Sequence, residues 1–409
     1  MTTGFYFRPG ATPVDWESPR SIVLANPEWI RREANGIGEI ERRLPALDAH
    51  VWVATSGTSS DGPGRVRWIA LSKAAFLASA AAVNRHLAAG AADVWAHALP
   101  LFHVGGLGIL ARAWLNGARV VPAVEDRWDA SAFHAIVTRS RATLSALVPS
   151  QVHDLVAAGV PSPPSVRAIV VGGARMEPAL YQAARALGWP CLPSFGLTET
   201  CSQVATAALS SPLAPDYPAT LPILSHAEIR VADDQRLAIR TASLLTCWAE
   251  LAGDEVRVWD PKRDGWLETD DVGRVSDSGV EVFGRASESV KVLGEIVSLP
   301  RLEQVGRRWA EGEGLTVIPG FDLAVVALPH GRLGHELVMA LAKTGSAALD
   351  TGRRAALDAS LLQHFRDGVL PFERMQRVAW VDNIPRTPLG KCQRALLARQ
   401  VSDQARADL

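Results

Sequence analysis

The residues Thr55-Ser56-Gly57-Thr58-Ser59 follow a short apolar run at 51–54 and lead into Ser60-Asp61-Gly62-Pro63-Gly64. Small hydroxyl side chains and glycines let a backbone approach closely, and their N–H and O–H groups can surround phosphate oxygens. GxxxxGK[ST] is absent and the next helix is expected only near Ser72, so this is no Walker A loop. On its own the stretch reads equally as a turn. Near the other end, Pro388-Leu389-Gly390-Lys391 presents one cation on a stiff stretch, and lysine acts as a mobile point charge on phosphate oxygens. In Ser194-Phe195-Gly196-Leu197-Thr198-Glu199-Thr200, Thr198 and Glu199 supply a hydroxyl and a carboxylate, hard oxygen ligands suited to Mg²⁺. The glycines of Val171-Gly172-Gly173-Ala174 can admit a flat ring beside the backbone. Glu268-Thr269-Asp270-Asp271-Val272-Gly273 reads as a turn in which Asp271 can accept both hydroxyls of a ribose. Arg285, in Gly284-Arg285, can reach ribose or phosphate oxygens. Paired aspartates are also ordinary turn formers. His103, inside Leu99-Pro100-Leu101-Phe102-His103-Val104-Gly105-Gly106, is placed either to line a cleft or to serve as a structural histidine.

The elements around these residues alternate. Apolar, β-branched runs at 51–54, 94–99, 119–122, 143–148 and 166–171 read as buried strands, and stretches at 73–89, 130–140 and 177–187 read as helices between them. That rhythm predicts an α/β fold with a largely parallel sheet flanked by helices, whose strand ends would present the motifs to a ligand. Past residue 209 the texture changes. Short strands at 228–231, 237–240 and 280–283, separated by Asp/Gly turns, predict an antiparallel or small β-barrel-like part. A further break near 284–289 leads into a small α+β remainder with strands at 321–328 and 338–341. The expected domains are therefore residues 1–285, a large N-terminal domain, and 286–409, a small mobile C-terminal one.

Bulk properties exclude several classes. The chain has 409 residues, 48% hydrophobic and 21% charged, which is globular composition rather than disordered or collagenous. Lys+Arg (42) nearly balance Asp+Glu (43), so no global basic field recruits nucleic acid. The longest apolar stretches fall far short of the ~20 residues of a membrane span. The first 20 residues carry Arg8, Asp15 and Glu17 without an apolar core, unlike a secretory signal. Cys191, Cys201, Cys247 and Cys392 have no CxxC spacing and suggest neither zinc nor a disulfide framework. A cytoplasmic protein is expected.

The order of the motifs is more specific than any one of them. The chain resembles the adenylate-forming superfamily of acyl- and aryl-CoA synthetases, adenylation domains and luciferases. The Ser/Thr/Gly loop, Pro-Leu-Phe-His, Gly-Gly-Ala, aromatic-Gly-x-Thr-Glu, Thr-x-Asp, Gly-Arg, Lys291-Val292-Leu293-Gly294-Glu295 and Pro-x-Gly-Lys all occur in that family's order, over residues of about 50 to 397. Within it, Leu147-Val148-Pro149-Ser150-Gln151 and the compact length look most like o-succinylbenzoate-CoA synthetases of menaquinone biosynthesis. Some positions depart from the pattern. Pro63-Gly64-Arg65 replaces the usual Pro-Lys-Gly, so Arg65 stands in for the lysine or the loop grips more weakly. Ser287 occupies a hinge position usually Asp or Lys, and Thr55 comes early, implying a reduced N-terminal subdomain.

The resemblance implies an ATP-dependent acid–thiol ligase that adenylates a carboxylic acid and passes the acyl group to CoA. Lys391 would bridge the carboxylate and the α-phosphate, Glu199 would hold Mg²⁺, and Thr198 and His103 would complete the catalytic set, His103 as a wall between acyl and CoA sites. Thr55, Ser56, Gly57, Thr58 and Ser59 would surround the β- and γ-phosphates. Gly172, Gly173 and Ala174 would flank adenine, with Phe195 and Gly196 in the same nucleotide site, and Asp271 and Arg285 would hold the ribose. The small domain would rotate near Ala286–Ser287 between half-reactions. If 2-succinylbenzoate is the acid, its second carboxylate needs a polar or cationic partner, for which Ser150, Gln151, Ser202 and Gln203 are candidates. Partners would be a small carboxylic acid, ATP and CoA, without nucleic acid or a membrane span; a homodimer is open. Another aryl- or acyl-CoA ligase, a carrier-protein-loading enzyme, and a degenerate nucleotide-binding member are the alternatives.

Overall fold

The computed structural model describes residues 14–26, 36–54, 66–124, 127–209, 217–232, 235–252, 255–315, 321–343, 350–386 and 392–407. The chain divides into two compact units. One comprises residues 1–232, 238–269 and 275–281, the other 233–237, 270–274 and 282–409.

In the first part of the chain the strands are β1 (Ile22–Leu24), β2 (His50–Ala54), β3 (Val66–Ser72), β4 (Val94–His97), β5 (Arg119–Pro122), β6 (Leu144–Leu147), β7 (Ala168–Val171), β8 (Cys191–Leu197) and β9 (Ser202–Thr206). The helices are α1 (Gly36–Arg43), α2 (Lys73–His86), α3 (Val104–Asn116), α4 (Ala130–Ser140), α5 (Pro149–Ala157) and α6 (Pro178–Ala186). Strands β4 to β9 form one sheet in the order β5-β4-β6-β7-β8-β9, parallel except for β9. All four residues of β6 and of β7 are buried, as expected of strands covered on both faces. Helix ends follow local chemistry. The Asp129 side chain accepts a hydrogen bond from the Ala132 N–H at the start of α4, and α3 stops at Gly117, whose φ of 72° is left-handed.

The chain continues through β10 (Ala227–Val231), β11 (Arg236–Thr241), β12 (Cys247–Ala252), β13 (Glu255–Trp259), β14 (Leu267–Ser276) and β15 (Gly279–Arg285). A second sheet runs β1-β2-β3-β12-β13, with Val51 and Val53 in one core and Trp52 in another on the opposite face. The segment that reads as barrel-like is a four-stranded sheet, β10-β11-β14-β15. Lys73, 3% exposed, secures the start of the described chain by donating from Nζ to the carbonyls of Asp15, Ser18 and Arg20 at 2.7–2.8 Å.

The second unit holds β16 (Ser289–Val292), β17 (Glu295–Ser298), α7 (Leu299–Gly312), β18 (Phe321–His330), β19 (Gly334–Lys343), α8 (Thr351–Gly368), β20 (Arg377–Val381) and α9 (Arg394–Ala407). Its three-stranded sheet, β18-β19-β20, is covered on both faces because β18 alternates. Leu323 and Val325 join the core that includes Leu302 of α7 and Leu361 of α8, whereas Ala324 and Val326 join Leu397 and Val401 of α9.

Candidate active site

Four of the sequence motifs leave the six-stranded sheet at the carboxyl ends of its parallel strands, where open α/β sheets bind ligands. Strand β4 runs into His103, β6 into Val148-Pro149-Ser150-Gln151, β7 into Gly172-Gly173-Ala174 and β8 into Thr198-Glu199. The chain passes from β4 to β5 on one side and then back to β6 on the other, so the order reverses between β4 and β6. Gln151 ties the exits of those two strands together. Its Nε2 donates to the Ala98 carbonyl at 3.1 Å, and its Oε1 accepts from the Val148 N–H at 3.0 Å.

His103 is the N-cap residue of α3. The sequence places it just before a glycine pair, and Gly105 and Gly106 belong to the first helical turn. The reason is steric. A Cβ on Gly106 would lie 2.3 Å from the Pro100 carbonyl oxygen, so only glycine lets the helix start against that segment. The His103 ring is exposed at its surface and packs on Phe102 at 4.6 Å between centroids, and desolvation by the surrounding protein lowers its pKa.

Gly172 and Gly173 carry the chain off β7. Gly173 has φ 80°, and a Cβ on Gly172 would meet Ser194 Oγ at 2.9 Å. Ala174 beside them is exposed. Glu199 lies half-buried in a single 3-10 turn, Thr198–Thr200, that reverses β8 into β9. Thr200 fixes that turn: its Oγ1 accepts from the Leu197 N–H at 3.0 Å and donates to the Ser202 carbonyl at 2.7 Å, while the Glu199 carbonyl accepts from the Leu245 N–H at 2.7 Å. Phe195 and Gly196 sit at the bulge of this hairpin. One carboxylate on a rigid turn fits Mg²⁺, which binds through one or two carboxylates and completes its shell with water and substrate phosphates. Among the described residues no group of three or more His, Cys, Asp or Glu could hold a metal.

Asp271 departs from expectation in its setting. It lies inside strand β14 rather than in a turn, and the period-2 alternation buries it at 7% exposure while its neighbour Asp270 remains half-exposed. Within the second unit, Arg285 Nε stands 3.7 Å from Asp271 Oδ1, and Arg236 Nη1 stands 3.6 Å from Asp270 Oδ1. The proposed ribose pair is thus brought together. Thr55, Ser56, Gly57, Thr58, Ser59 and Lys391 lie outside the described residues.

One residue escaped the sequence reading. Arg112 of α3 is 1% exposed and has no carboxylate partner among the described residues. Its Nη2 donates to Ser202 Oγ at 3.1 Å and Gln203 Oε1 at 2.9 Å, and its guanidinium stacks 5.5 Å from the Trp95 ring centroid. Its Nε and Nη1 have no hydrogen-bond partner, and burial drops its pKa to about 10. A buried cation in this condition is costly unless something else completes it. The signal was present in the sequence as a lone arginine in Val104-Gly105-Gly106-Leu107-Gly108-Ile109-Leu110-Ala111-Arg112-Ala113, an otherwise apolar helix.

A parallel sheet with its ligand motifs at the strand ends, followed by a separate α+β unit, defines the class. The AMP-binding enzyme family model matches residues 27–241, more than half of the chain, and the chain belongs to that family. It is similar to the 2-succinylbenzoate–CoA ligase of Staphylococcus aureus (strain MSSA476), 26% identical over 317 residues, or 75% of this chain and 58% of that protein. The Bacillus licheniformis protein of the same name is 27% identical over 267 residues, covering 63% of this chain and 54% of its own. The chain thus spans under three-fifths of the length of these relatives. Two solved structures share its fold. Escherichia coli MenE with a bound analogue of OSB-AMS has a TM-score of 0.63 and 24% identity over 87% of this chain and 69% of that one. The o-succinylbenzoate CoA synthetase of Bacillus subtilis with OSB-AMP has a TM-score of 0.67 and 21% identity over 85% and 68%. No helix among the described residues is long and apolar enough to cross a membrane.

Proposed function

We propose that the protein is an ATP-dependent acid–CoA ligase whose acid carries a second carboxylate, with 2-succinylbenzoate as the acid that fits best. The observation that carries this reading is Arg112. A fully buried guanidinium with two unpaired nitrogens, Nε and Nη1, and no counter-ion among the described residues is a receptor for an anionic oxygen, and half-buried Ser202 on its Nη2 puts it one side chain from solvent. Gln203 and Ser202, the sequence candidates for the distal carboxylate, are its neighbours. Ser150 and Gln151 leave the adjacent strand β6, where Gln151 spends its amide on the backbone. The names of the curated relatives point to the same acid.

The reaction would run in two steps. A carboxylate oxygen of the acid attacks the α-phosphorus of ATP and expels pyrophosphate; the CoA thiol then attacks the acyl carbon, releasing AMP and a proton. In-line attack needs positioning and charge neutralisation more than covalent catalysis. Lys391 would hold the carboxylate against the α-phosphate, and Thr55, Ser56, Gly57, Thr58 and Ser59 would take the outer phosphates. Gly172, Gly173 and Ala174 would leave room for adenine, beside Phe195 and Gly196. Asp271 would accept the ribose hydroxyls with Arg285 beside it, and His103 and Thr198 would border the reacting groups. Glu199 would hold Mg²⁺, which neutralises phosphate oxygens when bound. The domain carrying Lys391 would begin at Ala286–Ser287 and rotate between steps.

ATP–pyrophosphate exchange tests the reading directly. Exchange should depend on 2-succinylbenzoate and fall sharply with benzoate or a long-chain fatty acid. Lys391→Ala should cut exchange by several orders of magnitude while sparing thioester formation from supplied acyl-adenylate. Exchange with no acid, or equal exchange with all of them, would refute the proposal.

A further inference from the structure

The Glu199 turn does not hold its shape by local preference alone. Cys201, which ends it, has φ 56°, the left-handed region that side-chain-bearing residues rarely occupy. Backbone of this kind persists only where its surroundings over-determine it. Thr200 supplies part of that support from within the turn. The rest comes from the loop between β11 and β12, whose Leu245 donates its N–H to the Glu199 carbonyl at 2.7 Å and buries its side chain in the same apolar cluster as Cys201.

That loop is held in turn by one cation. Lys262, between β13 and β14, donates from Nζ to the Leu245 carbonyl at 2.7 Å and the Thr246 carbonyl at 3.1 Å, and pairs with Asp260 Oδ1 at 2.8 Å. An ammonium has three N–H donors, and these three acceptors take them all. Lys262 is itself anchored. Its backbone N–H donates to Asp260 Oδ1 at 2.9 Å, and directly after it Arg263 and Trp266 bond to each other, N–H to carbonyl in both directions, at 2.9 Å. The sheet does not require this arrangement. Strand β12 pairs with β3 from Cys247 to Leu251, and the Thr246 N–H already reaches the Ala70 carbonyl at 2.8 Å. Strand pairing therefore does not account for a lysine drawn down to 20% side-chain exposure onto two loop carbonyls. We infer that Lys262 is a positioning residue for Glu199: by fixing the carbonyls of Leu245 and Thr246 it aims the Leu245 N–H at the turn, and so sets where the Glu199 carboxylate meets its cation. The chain of links is short, from Lys262 Nζ to the Leu245 carbonyl, from the Leu245 N–H to the Glu199 carbonyl, and then through the Cα–Cβ bond of Glu199, whose direction follows its backbone. The inference rests on Glu199 being the Mg²⁺ carboxylate.

Calorimetric titration of the full-length protein with ATP, with and without Mg²⁺, tests this apart from turnover. Lys262→Met removes the donors and keeps the bulk of the side chain. It should cut the gain in ATP affinity that Mg²⁺ confers about 10-fold, the lower end of what is lost when the outer partners of a metal site are removed. Affinity for AMP, titrated without metal, should stay within about 2-fold on the same argument. Lys262→Arg should recover most of the gain, because a guanidinium can still bridge the carbonyls and Asp260. Asp260→Asn, at a position with 54% side-chain exposure, should show a milder loss of the same kind, and it decides the matter if Lys262→Met folds poorly. Adding Lys262→Met to Glu199→Gln should cost nothing further. An unchanged Mg²⁺ gain in Lys262→Met, or in Asp260→Asn where the first variant does not fold, would overturn the inference. Equal losses for AMP and for ATP with Mg²⁺ would also overturn it, since they mark a purely structural lysine. A gain that survives Glu199→Gln would instead refute the reading of Glu199, and this inference with it.

Discussion

The two units bury arginines in opposite ways. Arg112, in the first, has no carboxylate partner among the described residues, and burial drags its pKa down to about 10. Arg386 and Arg394, in the second, each meet an acid, and their pKa values rise despite burial. A guanidinium already neutralised has little left to offer a ligand; what it does is fix backbone. One left uncompensated destabilises the fold and is suited to an incoming anion. The Asp271–Arg285 pair lies between these cases, with a buried acid, a 46% exposed arginine side chain and a loose 3.7 Å separation.

The largest effect should come from removing an acid from a completed pair. Glu303→Ala leaves Arg394 buried beside the Val325 carbonyl with no counter-charge, a loss of about 3–5 kcal/mol for a buried pair. Urea unfolding followed by tryptophan fluorescence would register it, and a loss below about 1 kcal/mol would place Arg394 with ordinary surface pairs. Asp271→Ala should raise the nucleotide dissociation constant by about 1.5–3 kcal/mol for each charged hydrogen bond lost, read by calorimetry. An unchanged constant would remove Asp271 from the ribose site.

Arg112→Met sharpens the contrast most. It should raise KM for the diacid by a similar 1.5–3 kcal/mol, about 10–150-fold, while leaving the melting temperature unchanged or higher, because the deleted charge had no partner. A lower melting temperature with unchanged KM would make Arg112 another structural arginine.

The smallest effect is acid sensitivity of the first unit. Burial lowers the pKa of His97, whose Nε2 sits 3.2 Å from the Gly106 carbonyl, to about 4, and that of His226 to about 4. Both values lie below the ~6.5 of an unfolded histidine, so the unfolded chain binds more protons between those limits. The associated stability is complete above about pH 6.5 and is lost as pH falls toward 4. Melting curves at pH 7 and 5 should differ by several degrees, and His97→Gln should flatten the difference; an identical slope in the variant would count against it.

What could be read from the sequence follows from range. Strands β6 and β7 and helix α4 were legible because apolar runs and their spacing act locally. The cluster of motifs at strand ends was legible because their order matched a family pattern. Asp271 was placed in a turn because two adjacent aspartates favour turns, whereas pairing within the sheet extended the strand through them. The Asp322–Arg386 and Glu303–Arg394 pairs were not legible, because the partners lie 64 and 91 positions apart. Arg112 left a local trace, a lone arginine in an apolar helix, but that trace does not say whether a distant acid pairs it.

The hairpin behind Glu199 also bears on how such a protein can diverge. A Cβ at Gly196 would sit 2.0 Å from the Ser202 carbonyl oxygen and 2.5 Å from Gln203 Cα, both backbone atoms with nowhere to retreat. Any mutation of that codon away from glycine forces the two strands apart and moves Glu199 with them. Descendants of this gene that come to accept a different acid should therefore keep Gly196 and record their history at positions such as 112, 202 and 203, where side chains can be exchanged without reopening the turn.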